Sequence, residues 1–243
     1  MTPHFEAVTF DFWDTLFEVQ GHRVVPRRTD AITALLADAG QPIERDRVQV
    51  LFEQVARTFD EHWRANRQYR FEDGLEFVLA GLDVGDADLA GAIRQTWLDV
   101  YAGADVVARP DAVSAIGRLT EAGVGLAVIC DVSLIPSSVL STYLDRAGLL
   151  DAFGVFAWSD EVGVYKPDSS IFRHALDGLG VTDAARACHV GDKRRTDVAG
   201  ARAMGMTAVR YTGVVDDPEE ADGPEADHVI DDHQDLLVIV GVA

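Results

Sequence analysis

The chain has 243 residues, 48% of them hydrophobic; it can bury a sizeable core without disulfide staples, as one large domain or as a core with a small accessory domain. Its 41 acidic against 21 basic residues give a formal net charge of -20, which argues against nucleic acid or an anionic membrane as partner but permits a small anion held by local cations or a metal. With only Cys130 and Cys188, no leader-like N-terminus and no apolar run of membrane-spanning length, the expectation is a cytoplasmic protein in a reducing compartment.

Residues 7–12 (AVTFDF) are apolar, β-prone and interrupted by Asp11, the pattern of a buried parallel strand ending in a polar loop. From about residue 27 to 102 there is no strand signal. Apolar residues recur there at helical spacing: Ile32, Leu35 and Leu36, then Val48, Leu51, Phe52 and Val55, then Leu75, Val78 and Leu79. Strands are then predicted at 124–130, 155–158, 187–190 and 207–211, alternating with helices at 111–122, 137–147, 169–179 and 197–204; Val229 and Ile230 start a sixth strand. Such alternation implies a parallel sheet with right-handed crossovers. The expected fold is therefore α/β, a Rossmann-like parallel-sheet core (1–20 and 104–243) with a helical cap domain (21–103) over the strand ends, where open α/β sheets bind ligands. The acidic stretch 214–227, rich in Pro and Gly, is expected to be a surface loop.

The residues able to do chemistry fall at strand ends. Asp11 is followed by Phe12, Trp13, Asp14, Thr15 and Leu16; Lys166 lies in GVYKP; Gly191, Asp192 and Asp197 lie in GDKRRTD. Carboxylates at neighbouring strand ends repel one another unless a cation lies between them, and oxygen ligands favour a hard ion such as Mg²⁺. Such an ion neutralises a phosphoryl group and an attacking carboxylate together, so an aspartate can act as nucleophile towards phosphorus.

In this order the motifs resemble those of the haloacid dehalogenase (HAD) superfamily, dominated by phosphatases, over nearly the whole chain. FDFWDTL is similar to the first motif, which implies that Asp11 is the nucleophile, that Thr15 orients it and that the Trp13 carbonyl ligates Mg²⁺. VGVYKPDSSIF is similar to the third, which implies that Lys166 stabilises the nucleophile and the transferred charge. GDKRRTDVAGARAMGM is similar to the fourth, with Asp192 a direct ligand and Asp197 supporting the site; the implied metal set is Asp11, Trp13, Asp192 and Asp197. The helical block falls where the family inserts its cap, between the first and second motifs.

The sequence departs from the phosphatase pattern twice. Trp13 stands where a second aspartate serves as general acid, and indole cannot transfer that proton; Asp14 could substitute only if the loop turned differently. In the second motif, Cys130 and Asp131 stand where a Ser or Thr hydroxyl binds the phosphoryl oxygen, and Ser133 is the nearby hydroxyl. Trp13, Cys130, Asp131 and Ser133 form the expected substrate-binding set, with the indole limiting substrate size. An aromatic at Trp13 is also similar to the dehalogenase branch, which displaces halide from carbon without metal, whereas Gly191 and Asp192 are the metal-binding form.

The expected function is Mg²⁺-dependent hydrolysis of a small phosphate monoester through an aspartyl-phosphate. The alternatives are a HAD-like binding or regulatory protein with little turnover, or a dehalogenase-type hydrolase. The expected partner is a small phosphorylated metabolite, and the chain is expected to be a monomer or homodimer. In the helical block, His62, Trp63, Arg64, Arg67, Tyr69 and Arg70 suit either an anionic ring-bearing ligand or a solvated amphipathic helix. His22, Arg23, Arg27 and Arg28, near the expected hinge, are open to the same two readings, and Arg194 and Arg195 suit a solvated helix start.

Overall fold

The apolar residues Ala7–Phe10 form the first strand, β1, and it is buried along its whole length. Such a strand needs a pairing partner on each edge and cover on each face. The computed structural model describes residues 3–20, 24–216 and 224–242; His22, Arg23 and residues 217–223 of the acidic stretch lie outside them. After β1 come β2 (Phe17–Val19) and four helices, α1 (Val24–Asp38), α2 (Arg45–Arg64), α3 (Phe71–Gly81) and α4 (Ala87–Ala102). The alternating part follows as β3 (Val106–Ala108), α5 (Pro110–Glu121), β4 (Gly125–Cys130), α6 (Ser137–Arg146), β5 (Val155–Trp158), α7 (Ser159–Val162) and α8 (Ser169–Gly178). The chain ends with β6 (Ala187–Gly191), α9 (Ala199–Met204), β7 (Thr207–Tyr211), β8 (His228–Ile230) and α10 (His233–Val240).

Six strands form one parallel sheet in the order β5-β4-β1-β6-β7-β8. The chain runs from β1 outward to β4 and β5, then returns to the other side of β1 for β6, β7 and β8. The strand order therefore reverses beside β1, and the crevice at its carboxyl end opens at that switch point. Thr9 is in register with Ala127 on β4 and with His189 on β6, so these three side chains share one face of the sheet. Farther along that face, Ile129, Ala157, Ile171, Phe172, Ala175 and Leu176 form a buried apolar cluster under α8. The short pair β2 and β3 was not legible in the sequence. The predicted helix at 197–204 is instead a π turn (Arg194–Val198) running into α9, with the Val198 amide reaching back to the Lys193 carbonyl at 3.2 Å.

The chain divides into two units, one drawn from Met1–Glu18, Val106–Asp131 and Tyr143–Ala243 and the other from Val19–Asp105 and Val132–Thr142. The sequence pattern assigns residues 132–142 to the sheet-bearing part; the structure groups them with the helices, where Leu134 packs so tightly on Gly74 of α3 that a methyl group there would meet it at 3.3 Å. Within the helical unit α1 packs on α2 and α4, and α2 packs on α3. Arg28, placed near a hinge by the sequence pattern, is buried inside this unit. Its guanidinium carbon lies 3.7 Å from the Phe52 ring centre and 5.1 Å from that of Trp97, and it donates to the Tyr101 hydroxyl at 2.6 Å, tying α1 to α2 and α4. Among the described residues no helix is long and apolar enough to cross a membrane.

On the other face of the sheet, Asp111 in the first turn of α5 gathers three donors. Its Oδ2 accepts from the Tyr211 hydroxyl (3.0 Å), the His233 amide (3.1 Å) and His233 Nδ1 (2.8 Å), so α5, β7 and α10 meet at one carboxylate. Burial opposes its ionisation, but the His233 and Tyr211 hydrogen bonds outweigh burial and hold the carboxyl well below the usual range. A depressed carboxylate stabilises the fold above its ordinary pKa and loses that contribution as pH falls below about 4. Asp111→Ala, which leaves buried donors unpaired, is expected to cost about 1–3 kcal/mol at pH 7, with the difference from wild type shrinking below pH ~4. Denaturant unfolding at both pH values checks this; an unchanged midpoint at pH 7 would show that the network adds no stability.

Candidate active site

Asp11 follows β1, Cys130 ends β4 and Gly191 ends β6, so the sheet order brings three motifs to adjacent strand ends. Lys166 reaches them from the loop before α8. That loop is held at two points: Asp168 caps the helix by accepting from the Ser170 amide at 2.8 Å, and Asp131 Oδ1 accepts from the Lys166 amide at 2.8 Å. Asp131, expected to bind substrate, thus uses a carboxylate oxygen to fix the lysine-bearing loop.

The buried ammonium of Lys166 has three N–H groups and three acceptors: Asp11 Oδ1 at 2.5 Å, Asp197 Oδ1 at 2.6 Å and the Ile129 carbonyl at 3.0 Å. Burial opposes its charge, but Asp11, Asp197 and Asp131 outweigh burial and hold its pKa well above the ordinary lysine value. Asp11, Asp192 and Asp197 are all buried, and each offers an oxygen within 4.8 Å of the others. Burial pushes the Asp11 carboxyl well up; Lys166 opposes this, while Asp197 and Asp192 reinforce it. Burial also pushes Asp192 up to about 7, with Asp197 adding to the shift.

The three carboxylates differ in how their oxygens are used. Burial opposes ionisation of Asp197, but Lys166 and His189 hold it well below the usual carboxylate range. Its Oδ1 accepts from Lys166 and from His189 Nε2 (3.0 Å), and its Oδ2 from the Lys193 amide (3.0 Å) and the Thr196 hydroxyl (3.3 Å). The sequence pattern groups Asp197 with the ion ligands, and it stands with Asp11 and Asp192 in the acidic cluster; both its oxygens also accept from donors, and one of these donors is Lys166. Asp192 Oδ2, by contrast, is buried without a hydrogen bond and has only Lys193 Nζ at 3.2 Å. A buried carboxylate oxygen without a hydrogen bond beside a second buried carboxylate, with one buried ammonium for three acids, is a donor set that fits a hard divalent cation. Asp11, Asp192 and Asp197 are the acids whose oxygens lie close enough together to hold one.

Gly191 makes room for this arrangement, since a methyl group there would overlap the Asp197 carboxylate. Thr15 is fully buried, but its Oγ1 has no hydrogen-bond partner. It therefore does not orient Asp11, whose Oδ1 is taken by Lys166. The Trp13 ring packs edge-on against Phe12 and Tyr143, with centroids 5.0 and 6.2 Å away, as a wall residue. Asp14 takes a left-handed conformation, φ 57°, which aspartate tolerates; burial raises its pKa, and the charges that act on it most are Lys193 and Glu18. Cys130 is fully buried, and burial followed by Asp11 pushes its thiol well up, so it offers no thiolate. Ser133 belongs to the helical unit. In that unit Arg64, expected as a possible anion contact, pairs with Asp60 one turn earlier at 2.9 Å, both side chains exposed. Arg194 pairs with Glu225 at 3.1 Å.

His189 and Thr9 escaped the sequence reading. Their signal was a polar side chain at the same level of each of two otherwise apolar neighbouring strands, legible only once the register of β1 and β6 is known.

The fold and the acidic cluster together define an α/β protein of Rossmann-like architecture with a buried acidic site at the carboxyl ends of its strands. Residues 5–205 match the haloacid dehalogenase-like hydrolase family, and the chain belongs to it. It is 26% identical over 238 residues to the glyceraldehyde 3-phosphate phosphatase of Methanothermobacter thermautotrophicus, covering 96% of this chain and 95% of that one. Among solved structures it is similar to a HAD phosphatase from Thermococcus onnurineus (TM-score 0.67, 23% identity, 97% and 98% of the two chains). It is similar also to a 2-haloacid dehalogenase from Pseudomonas syringae (TM-score 0.69, 25% identity, 98% of each chain).

A raised Asp192 pKa means that protons compete with a cation at the same oxygens. Mg²⁺ affinity is therefore expected to fall as pH drops below about 7, with proton release on binding. Calorimetry at pH 6 and pH 8 in buffers of different ionisation enthalpy measures both, and pH-independent affinity without proton release would show that Asp192 is not a ligand.

Proposed function

We propose that the protein is a Mg²⁺-dependent phosphatase that hydrolyses a small phosphate monoester through an aspartyl-phosphate on Asp11. The observation that carries this reading is the set of three buried carboxylates with one buried ammonium among them, in which Asp192 Oδ2 has no hydrogen bond. Displacement of halide from carbon by the Asp11 carboxylate would need no such excess of negative charge beside the nucleophile.

When bound, the ion supplies charge neutralisation between the phosphoryl oxygens and the attacking carboxylate. Asp11 and Asp192, with the Trp13 carbonyl, would hold it. Asp11 attacks phosphorus in line through its carboxylate, and Lys166, pinned by Asp197 and the Ile129 carbonyl, keeps its positive charge beside Asp11 as negative charge builds on the transferred group. The buried Lys166 stays protonated throughout, so it acts by charge and not by proton transfer. The indole N–H of Trp13 is far too weak an acid to protonate the departing oxygen. Leaving groups that are already good anions, such as aryl or acyl, therefore suit the site better than simple alkoxides.

The relatives include both phosphatases and dehalogenases at similar identity. A second reading, a HAD-like binding or regulatory protein with little turnover, is favoured by Trp13 and Cys130. Phosphate release from aryl, acyl, sugar and nucleotide phosphates, with Mg²⁺ and with EDTA, separates the readings. Turnover is expected only with metal, at least about 10³-fold lower in Asp11→Asn. Aryl or acyl esters are expected to exceed alkyl esters by about 10²-fold or more, the usual contribution of a general acid. No metal-dependent release on any ester would sink the phosphatase reading, and chloride release from 2-chloropropionate in EDTA would favour the dehalogenase.

A further inference from the structure

His189 lies in β6 two residues before Gly191, fully enclosed, and nothing in the mechanism above uses it. Its surroundings determine its hydrogen-bonding state. Nε2 is 3.0 Å from Asp197 Oδ1, and an ionised carboxylate only accepts, so Nε2 carries a proton. Burial disfavours the doubly protonated ring. Nδ1 is therefore bare, and it accepts from the Thr9 hydroxyl at 2.8 Å, a closer partner for that hydroxyl than the Cys188 carbonyl at 3.4 Å. Thr9 is the register partner of His189 across β1 and β6, so the sheet itself sets this contact. Phe172 of α8 closes the remaining side edge-on, with ring centres 5.1 Å apart, and the imidazole cannot turn.

These contacts form one chain of hydrogen bonds from the sheet to the reacting carboxylate: Thr9 to His189, His189 to Asp197, Lys166 to Asp197, Lys166 to Asp11. His189 and Lys166 share one acceptor, Oδ1 of Asp197. If His189 did not donate, that oxygen would have Lys166 as its sole hydrogen-bond donor, and the ammonium would be drawn towards Asp197 and away from Asp11.

We propose that His189 is a positioning residue of the site: by donating from Nε2 to Asp197 it sets where the Lys166 ammonium rests between Asp197 and Asp11. The inference rests on the reading of Lys166 as the charge-stabilising group. The chain reaches Asp11 only through the lysine and does not pass through Asp192. Loss of His189 should therefore lower turnover much more than metal affinity.

His189→Phe keeps a flat ring against Phe172 and removes the donor, while His189→Gln restores an N–H near the Nε2 position. The Phe variant is expected to lose about 10- to 100-fold in kcat, the usual effect of removing a group that orients a site residue, with KM and the Mg²⁺ half-saturation changed less than about 3-fold. The Gln variant is expected to recover most of the loss. A Phe variant with wild-type kcat, a Gln variant no faster than Phe, or a loss cured by raising Mg²⁺ would overturn the proposal.

Nitrogen-15 NMR of the wild-type protein provides an arm independent of folding of the variants and of turnover. Nε2 is expected to be protonated and Nδ1 bare, and the buried Lys166 ammonium to give a slowly exchanging signal. A proton on Nδ1, or no protected ammonium, would overturn the proposal. If the wild type releases no phosphate from any ester, the phosphatase reading fails, and this measurement still decides the inference.

Discussion

A lysine ammonium sealed from water, with each of its three N–H groups matched to an acceptor, is the constraint around which the sheet-bearing unit is built. A buried cation is tolerated only when it is paired and fully hydrogen-bonded. That requirement explains otherwise unconnected features of the chain. Asp131 at the end of β4 holds the lysine loop from behind; the π turn after β6 turns Asp197 inward; Gly191 has no side chain because the Asp197 carboxylate fills that space.

The same constraint divides the acids by role. Asp197 accepts from donors on both oxygens, the lysine among them, Asp11 shares the lysine, and one oxygen of Asp192 accepts no hydrogen bond. Three acids that look equivalent in a motif thus differ in what lies within hydrogen-bond reach of each oxygen. The thiol of Cys130 stays outside this chemistry, because burial and the nearby Asp11 keep it protonated.

In the helical unit a different buried cation plays a packing role. Arg28 is enclosed by Phe52, Trp97 and Tyr101 and bonds to a phenol, so faces of aromatic rings replace the acids that surround Lys166. Both cations are buried, but only Lys166 stands at strand ends among carboxylates, and only there does the arrangement offer reactive chemistry.

Much of this was legible in the order of residues. Alternation of apolar strands and helical spacing specified a parallel sheet, the helical block stood out by its period, Asp11 and Asp192 were marked by their places at strand ends, and Lys166 by the motif around it. These are local signals, since hydrophobic period and strand-end position are written within a few residues. Other features required pairing between distant segments. The sequence did not show that residues 132–142 join the helices, that Asp197 serves the lysine, that Asp131 binds a backbone amide, or that Thr15 makes no bond to Asp11. Nor could it show that His189 and Thr9 lie side by side, because they are 180 residues apart and meet only through the β1–β6 register. The chain thus determined by itself which residue types stand at the strand ends; the tertiary structure decided which oxygen accepts from which donor, because a hydrogen bond depends on distances that no local pattern encodes.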